Sequence, residues 1–177
     1  MRERESLESE DPSTEWRELL ISLVKRYHPG ERRDLSGATL LRREVNRSCG
    51  DTVTVYRRAE ESPPREPVLL LEVQGCAVCK ASAAIAEKVL PLLPATQGGE
   101  LCRDVLRCIE GKDPGDRLRI PSELPEDLAR DLLDLLAVRR APARRRCATL
   151  GWEAALAALA LTPPDPSGTL PRHETRE

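Results

Sequence analysis

The chain has 177 residues, 40% of them hydrophobic, only 2% aromatic with no Phe, and a formal net charge of −2. That length suits one domain with a core of Leu, Val, Ile and Ala, and the near-neutral charge gives no electrostatic case for a nucleic-acid partner. No apolar run approaches the roughly 20 residues of a membrane span, and the charged start MRERESLESEDPS lacks the apolar stretch of a signal peptide. A cytoplasmic protein with neither nucleic acid nor membrane as partner is therefore expected. In that compartment its six cysteines read as metal ligands, reactive thiols or buried apolar residues rather than a disulfide framework.

Residues 1–10 are charged and expected to be disordered. Asp11 and Pro12 give a helix start, an N-cap followed by proline at the first helical position. Trp16, Leu20, Leu23 and Tyr27 then share one helical face, and Pro29-Gly30 ends the element. Leu40 to Asn46 is a weak strand. Thr52 to Arg57 is a better one, with Val53 and Val55 alternating with Thr52, Thr54 and Tyr56. Ala59 to Pro67 reads as a loop. Val68 to Val73 is almost wholly apolar, which predicts a central strand or one covered on both faces. The three strands read as an antiparallel meander.

From Ala77 the period becomes helical. Val78, Ala81, Ile85 and Val89 share a face, closed by Pro91 and Pro94. Leu101, Val105 and Ile109 give a helix ending at Gly111, and Lys112 to Ser122 reads as a polar loop. Pro125-Glu126-Asp127 opens a helix with Leu128, Leu132, Leu135 and Leu136 as its buried stripe and Arg139-Arg140 at its far end, charges that suit the helix dipole at both ends. A last helix is predicted from about Thr149 to Leu161, with Trp152, Leu156 and Leu159 on one face, and the Pro-rich residues 162–177 read as a disordered tail. The expectation is one α+β domain over residues 11–161: a helix, a three-stranded antiparallel sheet, then four helices packed on it.

Three distant thiols stand in recognisable frames: Cys49-Gly50-Asp51, Gly75-Cys76-Ala77 and Arg146-Cys147-Ala148-Thr149-Leu150. With Asp51 they offer three thiolates and a carboxylate, a set suited to one tetrahedral metal ion. Cys49 and Asp51 are two apart, so on an extended strand both point to the same face. Cys76 precedes a helix, where free N–H groups and the positive dipole end stabilise a thiolate; Cys147, read as preceding the last helix, gains the same argument. As bare spacing the pattern is equally open to buried structural cysteines.

The frames add a resemblance. Glu15-Trp16-Arg17-Glu18-Leu19-Leu20 ahead of Tyr27-His28-Pro29, Cys49-Gly50-Asp51 before a strand, and Gln74-Gly75-Cys76-Ala77 before Ala81-Ser82-Ala83 resemble the SufU/IscU/NifU N-terminal family of iron–sulfur cluster assembly proteins. The closing Arg146-Cys147-Ala148-Thr149-Leu150 resembles the SufU branch in particular. The likeness runs in order over residues 15 to 160. It implies the fold, with the site at one exposed end, and it implies Cys49, Asp51, Cys76 and Cys147 as ligands. IscU proteins have a histidine before the last cysteine; Arg146 stands there, as in the SufU branch. The interval of 71 residues from Cys76 to Cys147 fits that branch's insertion, here around Lys112 to Arg140.

The resemblance further implies zinc at the site, Cys49 as acceptor of persulfide sulfur from a SufS-like cysteine desulfurase, and downstream cluster-assembly or recipient proteins. A transient [2Fe–2S] cluster on the same thiolates is the variant within this class, and either way the chain is a scaffold or sulfur carrier rather than a stand-alone enzyme. Two readings from other classes stand beside it. One is a structural zinc module that only mediates contacts; against it stands the carboxylate ligand, since closed structural sites use cysteine and histidine. The other is a thiol oxidoreductase using Cys76 and Cys79, which lacks the βαβ context such a motif keeps.

Departures and minor candidates complete the reading. Cys79 stands where the family usually has serine, either as a spare ligand or redox partner of Cys76 or as a small packed residue. Glu61-Ser62-Pro63-Pro64 replaces the usual polar loop between the second and third strands. Cys102 and Cys108 lie on an amphipathic helix and read as core. His28 reads as a partner contact or a capping residue, and His173 as neither. Arg144, Arg145 and Arg146 either lower the pKa of Cys147, contact an acidic partner, or form a solvated face.

Overall fold

A computed structural model describes residues 14–27, 34–58, 68–112 and 118–161. The expectations for residues 1–10, Asp11-Pro12, His28, Pro29-Gly30, the 59–67 loop, His173 and the 162–177 tail lie outside the described residues, as does part of the 112–122 loop. The elements are α1 (Glu15–Arg26), β1 (Thr39–Asn46), β2 (Asp51–Arg58), β3 (Val68–Gln74), α2 (Ala77–Val89), α3 (Ala95–Glu110), α4 (Glu126–Leu135) and α5 (Pro142–Ala160). Short 3-10 turns follow α2 at Leu90–Leu92 and α4 at Leu136–Arg140.

The strands form an antiparallel meander in the order β1-β2-β3. In register, Asn46 faces Asp51 and Glu44 faces Val53, while Thr52 faces Gln74 and Val55 faces Leu71. The central strand is therefore β2, not β3. The apolar run of β3 does not bury both faces: Leu69 and Leu71 go into the core, whereas Leu70 and Val73 remain partly open and Glu72 is exposed. On β2, Val53 and Val55 are wholly buried.

One sheet face is covered by α2 and α5, which pack side by side. With few aromatics available, that contact uses small residues: Ala83 on α2 meets Gly151 on α5, and Ala148, Ala154, Ala155 and Ala158 are fully buried. The large exception is Trp152. Its indole Nε1 donates to Ser82 Oγ at 3.0 Å, and Ser82 Oγ donates to the Ala148 carbonyl at 2.6 Å. A buried polar chain costs little only when every member is paired, and this one ties the two helices together.

The predicted face of α1 is the buried one, with Leu20, Leu23 and Tyr27 in the core. Tyr27 Oη donates to the buried Asp131 carboxylate on α4 at 2.5 Å, and Arg26 pairs with the same carboxylate. Burial raises the Tyr27 pKa, which keeps the phenol a donor. α4 stops at Leu135, short of the expected Arg139-Arg140, and the chain tightens into the 3-10 turn. Arg145 Nε donates to the Arg139 carbonyl at 3.0 Å there, satisfying one of the acceptors a helix end leaves open.

The last helix starts at Pro142 rather than near Thr149. Pro142 occupies its first position, and Ala143 and the three arginines are good helix formers, so the start signal lay in Ala141-Pro142. This correction matters for the site, because it places Cys147 inside α5.

Candidate metal centre

The hairpin turn of residues 47–50 joins β1 to β2 at one end of the sheet, and Asp51 is the first residue of β2. Cys49 is thus on a turn and not on an extended strand. Gly50 adopts φ +76°, a left-handed conformation that glycine takes without steric cost, and the chain reverses there so that Cys49 and Asp51 approach the same point. Asn46 closes the turn, its carbonyl accepting the Cys49 N–H at 3.3 Å and the Gly50 N–H at 2.8 Å.

Cys76 is the N-cap of α2, its sulfur accepting the Cys79 N–H at 3.5 Å. The first turn of α2 carries no acidic residue. The carboxylate that complements this positive end comes from across the sheet: Asp51 Oδ1 accepts the Cys76 N–H at 2.8 Å, as expected of anions at helix N-termini. Asp51 is 1% exposed, and its other oxygen, Oδ2, is buried without a hydrogen-bond partner. Such an orphan is costly unless a cation or donor meets it.

Cys147 reaches the same point from α5. Its sulfur lies 3.6 Å from the Cys49 sulfur, and one donor atom from each of Cys49, Asp51 and Cys147 lies within 4.8 Å of the others. A tetrahedral ion with sulfur at about 2.3 Å needs thiolates on the order of 4 Å apart. Cys76 stands beside this trio rather than within it, close enough to hydrogen-bond Cys147. Of the four ligands suggested by sequence, three converge tightly and the fourth borders them. Three thiols and a carboxylate that keeps one buried oxygen unpaired make a donor set suited to a metal ion.

Cys147 sits more than a turn past the start of α5 and has no helix-start stabilisation. Burial first, then hydrogen bonds with Asp51, Cys49 and Cys76, push its thiol well above the ordinary range. The three arginines divide. Arg144, three residues before Cys147, hydrogen-bonds its side chain; Arg145 closes the preceding turn; Arg146 turns away to pair with Glu153. The residue adjoining Cys147 in sequence is therefore not the one whose charge reaches it.

Cys79 is fully buried, and burial, followed by the charges of Asp51, Cys76 and Cys49, pushes its thiol up to about 12. It packs in the core and is not among the donor atoms that converge on the site. Cys102 and Cys108 are buried as core residues of α3.

Gly75 was legible only as part of a motif, and the structure supplies its reason. A Cβ on Gly75 would fall 2.5 Å from Asp51 Oδ1 and 2.8 Å from its Cγ, so only glycine leaves room for the carboxylate. Gly75→Ala is expected to displace Asp51 and lower metal affinity by about tenfold or more, the scale of losing a ligand's support. Zinc titration against a chromophoric chelator measures this; parental affinity in Gly75→Ala would show that the carboxylate position is immaterial.

No family model matches the chain. It is 25% identical over 120 residues to the iron–sulfur cluster assembly scaffold protein IscU of Thermotoga maritima, covering 67% of this chain and 75% of the relative. In structure it is similar to a protein described as an iron–sulfur cluster assembly scaffold for the SUF system of Fervidobacterium islandicum, with TM-score 0.56 and 21% identity over 80% of this chain and 94% of that one. It is also similar to the N-terminal part of a NifU-like protein from Brucella abortus, with TM-score 0.54 and 18% identity over 80% of this chain and 90% of that one. The chain thus shares the fold of these solved structures and is similar in sequence to an iron–sulfur cluster assembly scaffold protein.

Proposed function

We propose that this protein serves iron–sulfur cluster assembly as a SufU-like sulfur acceptor, with Cys49, Asp51, Cys76 and Cys147 holding zinc and Cys49 taking persulfide sulfur from a cysteine desulfurase. The observation that carries the reading is the meeting of Cys49, Asp51 and Cys147 at one end of the sheet, with a buried carboxylate oxygen left unpaired among them. When bound there, zinc supplies a positive charge that keeps its thiol ligands deprotonated at neutral pH.

The four residues have different work to do. Cys49 is exposed and on a turn, so a second protein can reach its sulfur. Cys147 is buried in α5, and Cys76 caps α2, so both are held by rigid elements. In the transfer, the Cys49 thiolate attacks the outer sulfur of the desulfurase persulfide. The new S–S bond forms at Cys49 as the old one breaks, and the desulfurase cysteine departs as the thiolate. Arg144, exposed beside Cys147, adds positive charge at the face where an anionic persulfide approaches.

The same thiols suit a second role, the assembly of a [2Fe–2S] cluster as cargo. Metal analysis of protein purified without added metal separates the two. Colourless protein with about one zinc per chain is expected; a brown protein with iron and sulfide in its place would make the scaffold role primary. Zinc-loaded protein that accepts no sulfur from a desulfurase would reduce the site to a structural module. Cytoplasmic residence fits these partners, and among the described residues no helix is long and apolar enough to cross a membrane.

A further inference from the structure

Asn46 is the single asparagine of the chain, and it is 3% exposed at the end of β1. A buried amide has to account for both of its ends. Its Oδ1 accepts the Ser48 N–H at 3.2 Å, the Asx-turn contact by which asparagine and aspartate shape a turn. Its Nδ2 lies 3.6 Å from the Cys147 sulfur, a contact between residues 101 apart in sequence. The two ends of an amide are told apart only by their partners, and here the partner decides. A backbone N–H can only donate, so the end facing Ser48 is the oxygen, and the end facing Cys147 is the NH2 group.

Resting on the zinc-site reading above, we propose that Asn46 is a positioning residue that donates an N–H···S hydrogen bond to the Cys147 thiolate and fixes it as the permanent ligand of the site. The bond does two things at once. It gives the buried Cys147 sulfur a side-chain donor that orients it. It also couples the turn that carries Cys49 to the helix that carries Cys147, because the Asn46 carbonyl holds the Cys49 and Gly50 N–H groups while its side chain holds the other sulfur. A hydrogen bond to a metal-bound sulfur tunes the metal as well as orienting the ligand. The division of labour follows: Cys147 is anchored by a buried donor, whereas Cys49, exposed on its turn, is the thiol that exchanges.

Asn46→Asp separates the turn from the sulfur. Aspartate keeps the Asx turn with Ser48, but presents an oxygen to Cys147 where the parent presents NH2. Metal-free full-length parent and variant are titrated with cobalt(II), and zinc affinity is obtained by competition. Asn46→Asp is expected to lose about 10–100-fold in zinc affinity, the usual consequence of removing a partner of a metal ligand. Its sulfur-to-cobalt charge-transfer band should move to lower energy, because the sulfur electrons lose a stabilising donor. Asn46→Ser, which keeps an oxygen acceptor in the turn and introduces no charge, is expected to show the same band shift with a smaller loss, and carries the test should the aspartate variant not fold.

The parent supplies an independent readout. Selective labelling of asparagine yields one side-chain amide, and in the cadmium-113 form one of its protons should show coupling to the metal through the Cys147 sulfur. Parental affinity and an unshifted band in Asn46→Asp, or no coupling in the cadmium form, would reduce Asn46 to a turn former and overturn this assignment alone. A parent without any sulfur-to-cobalt band would overturn the zinc-site reading and this one with it.

Discussion

Cys49→Ser is expected to bring sulfur acceptance from a persulfide-loaded desulfurase down to background, while Cys79→Ala stays near the parental level. A hydroxyl neither holds a persulfide nor binds zinc as a thiolate does, and Cys49 is the exposed sulfur of the trio. Cys79, three residues from Cys76, has its thiol pushed up to about 12 and no exposed surface; its loss removes packing and leaves the chemistry intact. Asp51→Ala should separate from both. It deletes an oxygen ligand and the acceptor of the Cys76 N–H, so zinc is retained less tightly while all three thiols of the site remain. Radioactive sulfur loaded on the desulfurase, with transfer and zinc content followed for all three variants, is the measurement. Undiminished transfer to Cys49→Ser, or its disappearance in Cys79→Ala, would reverse the roles.

The second large effect lies in the helix pair behind the site. Gly151→Ala is expected to destabilise the protein by about 1–3 kcal/mol, the cost of overpacking a tight core, and to lower Tm by roughly 2–4 °C per kcal/mol. A Cβ on Gly151 would lie 2.9 Å from the Ala83 Cβ and 3.0 Å from its Cα. Neither atom is the tip of a flexible side chain, so α2 and α5 must move apart, and Cys76 and Cys147 ride on those helices. Zinc affinity should fall along with Tm. Gly99→Ala on α3 is the control, because its Cβ would meet nothing nearer than Leu156 Cδ1 at 3.8 Å. There the helix propensity of alanine over glycine, up to about 1 kcal/mol, should raise Tm instead. Thermal unfolding of the two variants gives the signs, and a stabilised Gly151→Ala would contradict the close helix contact.

Much of the architecture was legible along the chain, because each local signal had one consistent reading. The faces of α1 and α2, the alternation of β2 and the stop at Gly111 all followed from period and capping chemistry, which act within a few residues. The failures were also local. The run of arginines masks the helix start at Pro142, so the sequence pattern places Cys147 at a helix start whereas it lies inside α5, away from the dipole end. The apolar run of β3 suggested a central strand, but strand order depends on which hairpins form, and β2 holds the middle.

The cysteine frames came from sequence as separate motifs with Asp51 among them. What sequence could not show was distance: Gly75 is required by an Asp51 carboxylate 24 residues earlier in the chain, and Asn46 meets a sulfur 101 residues away. Arg144 reaches Cys147 while its neighbour Arg146 turns to Glu153, a choice made by the rotation of α5 against the sheet. Composition and spacing determined which chemical groups this protein owns and which elements carry them. Tertiary packing alone decided which groups share one point, since burial and hydrogen-bond partners there come from β1, β2, α2 and α5 together.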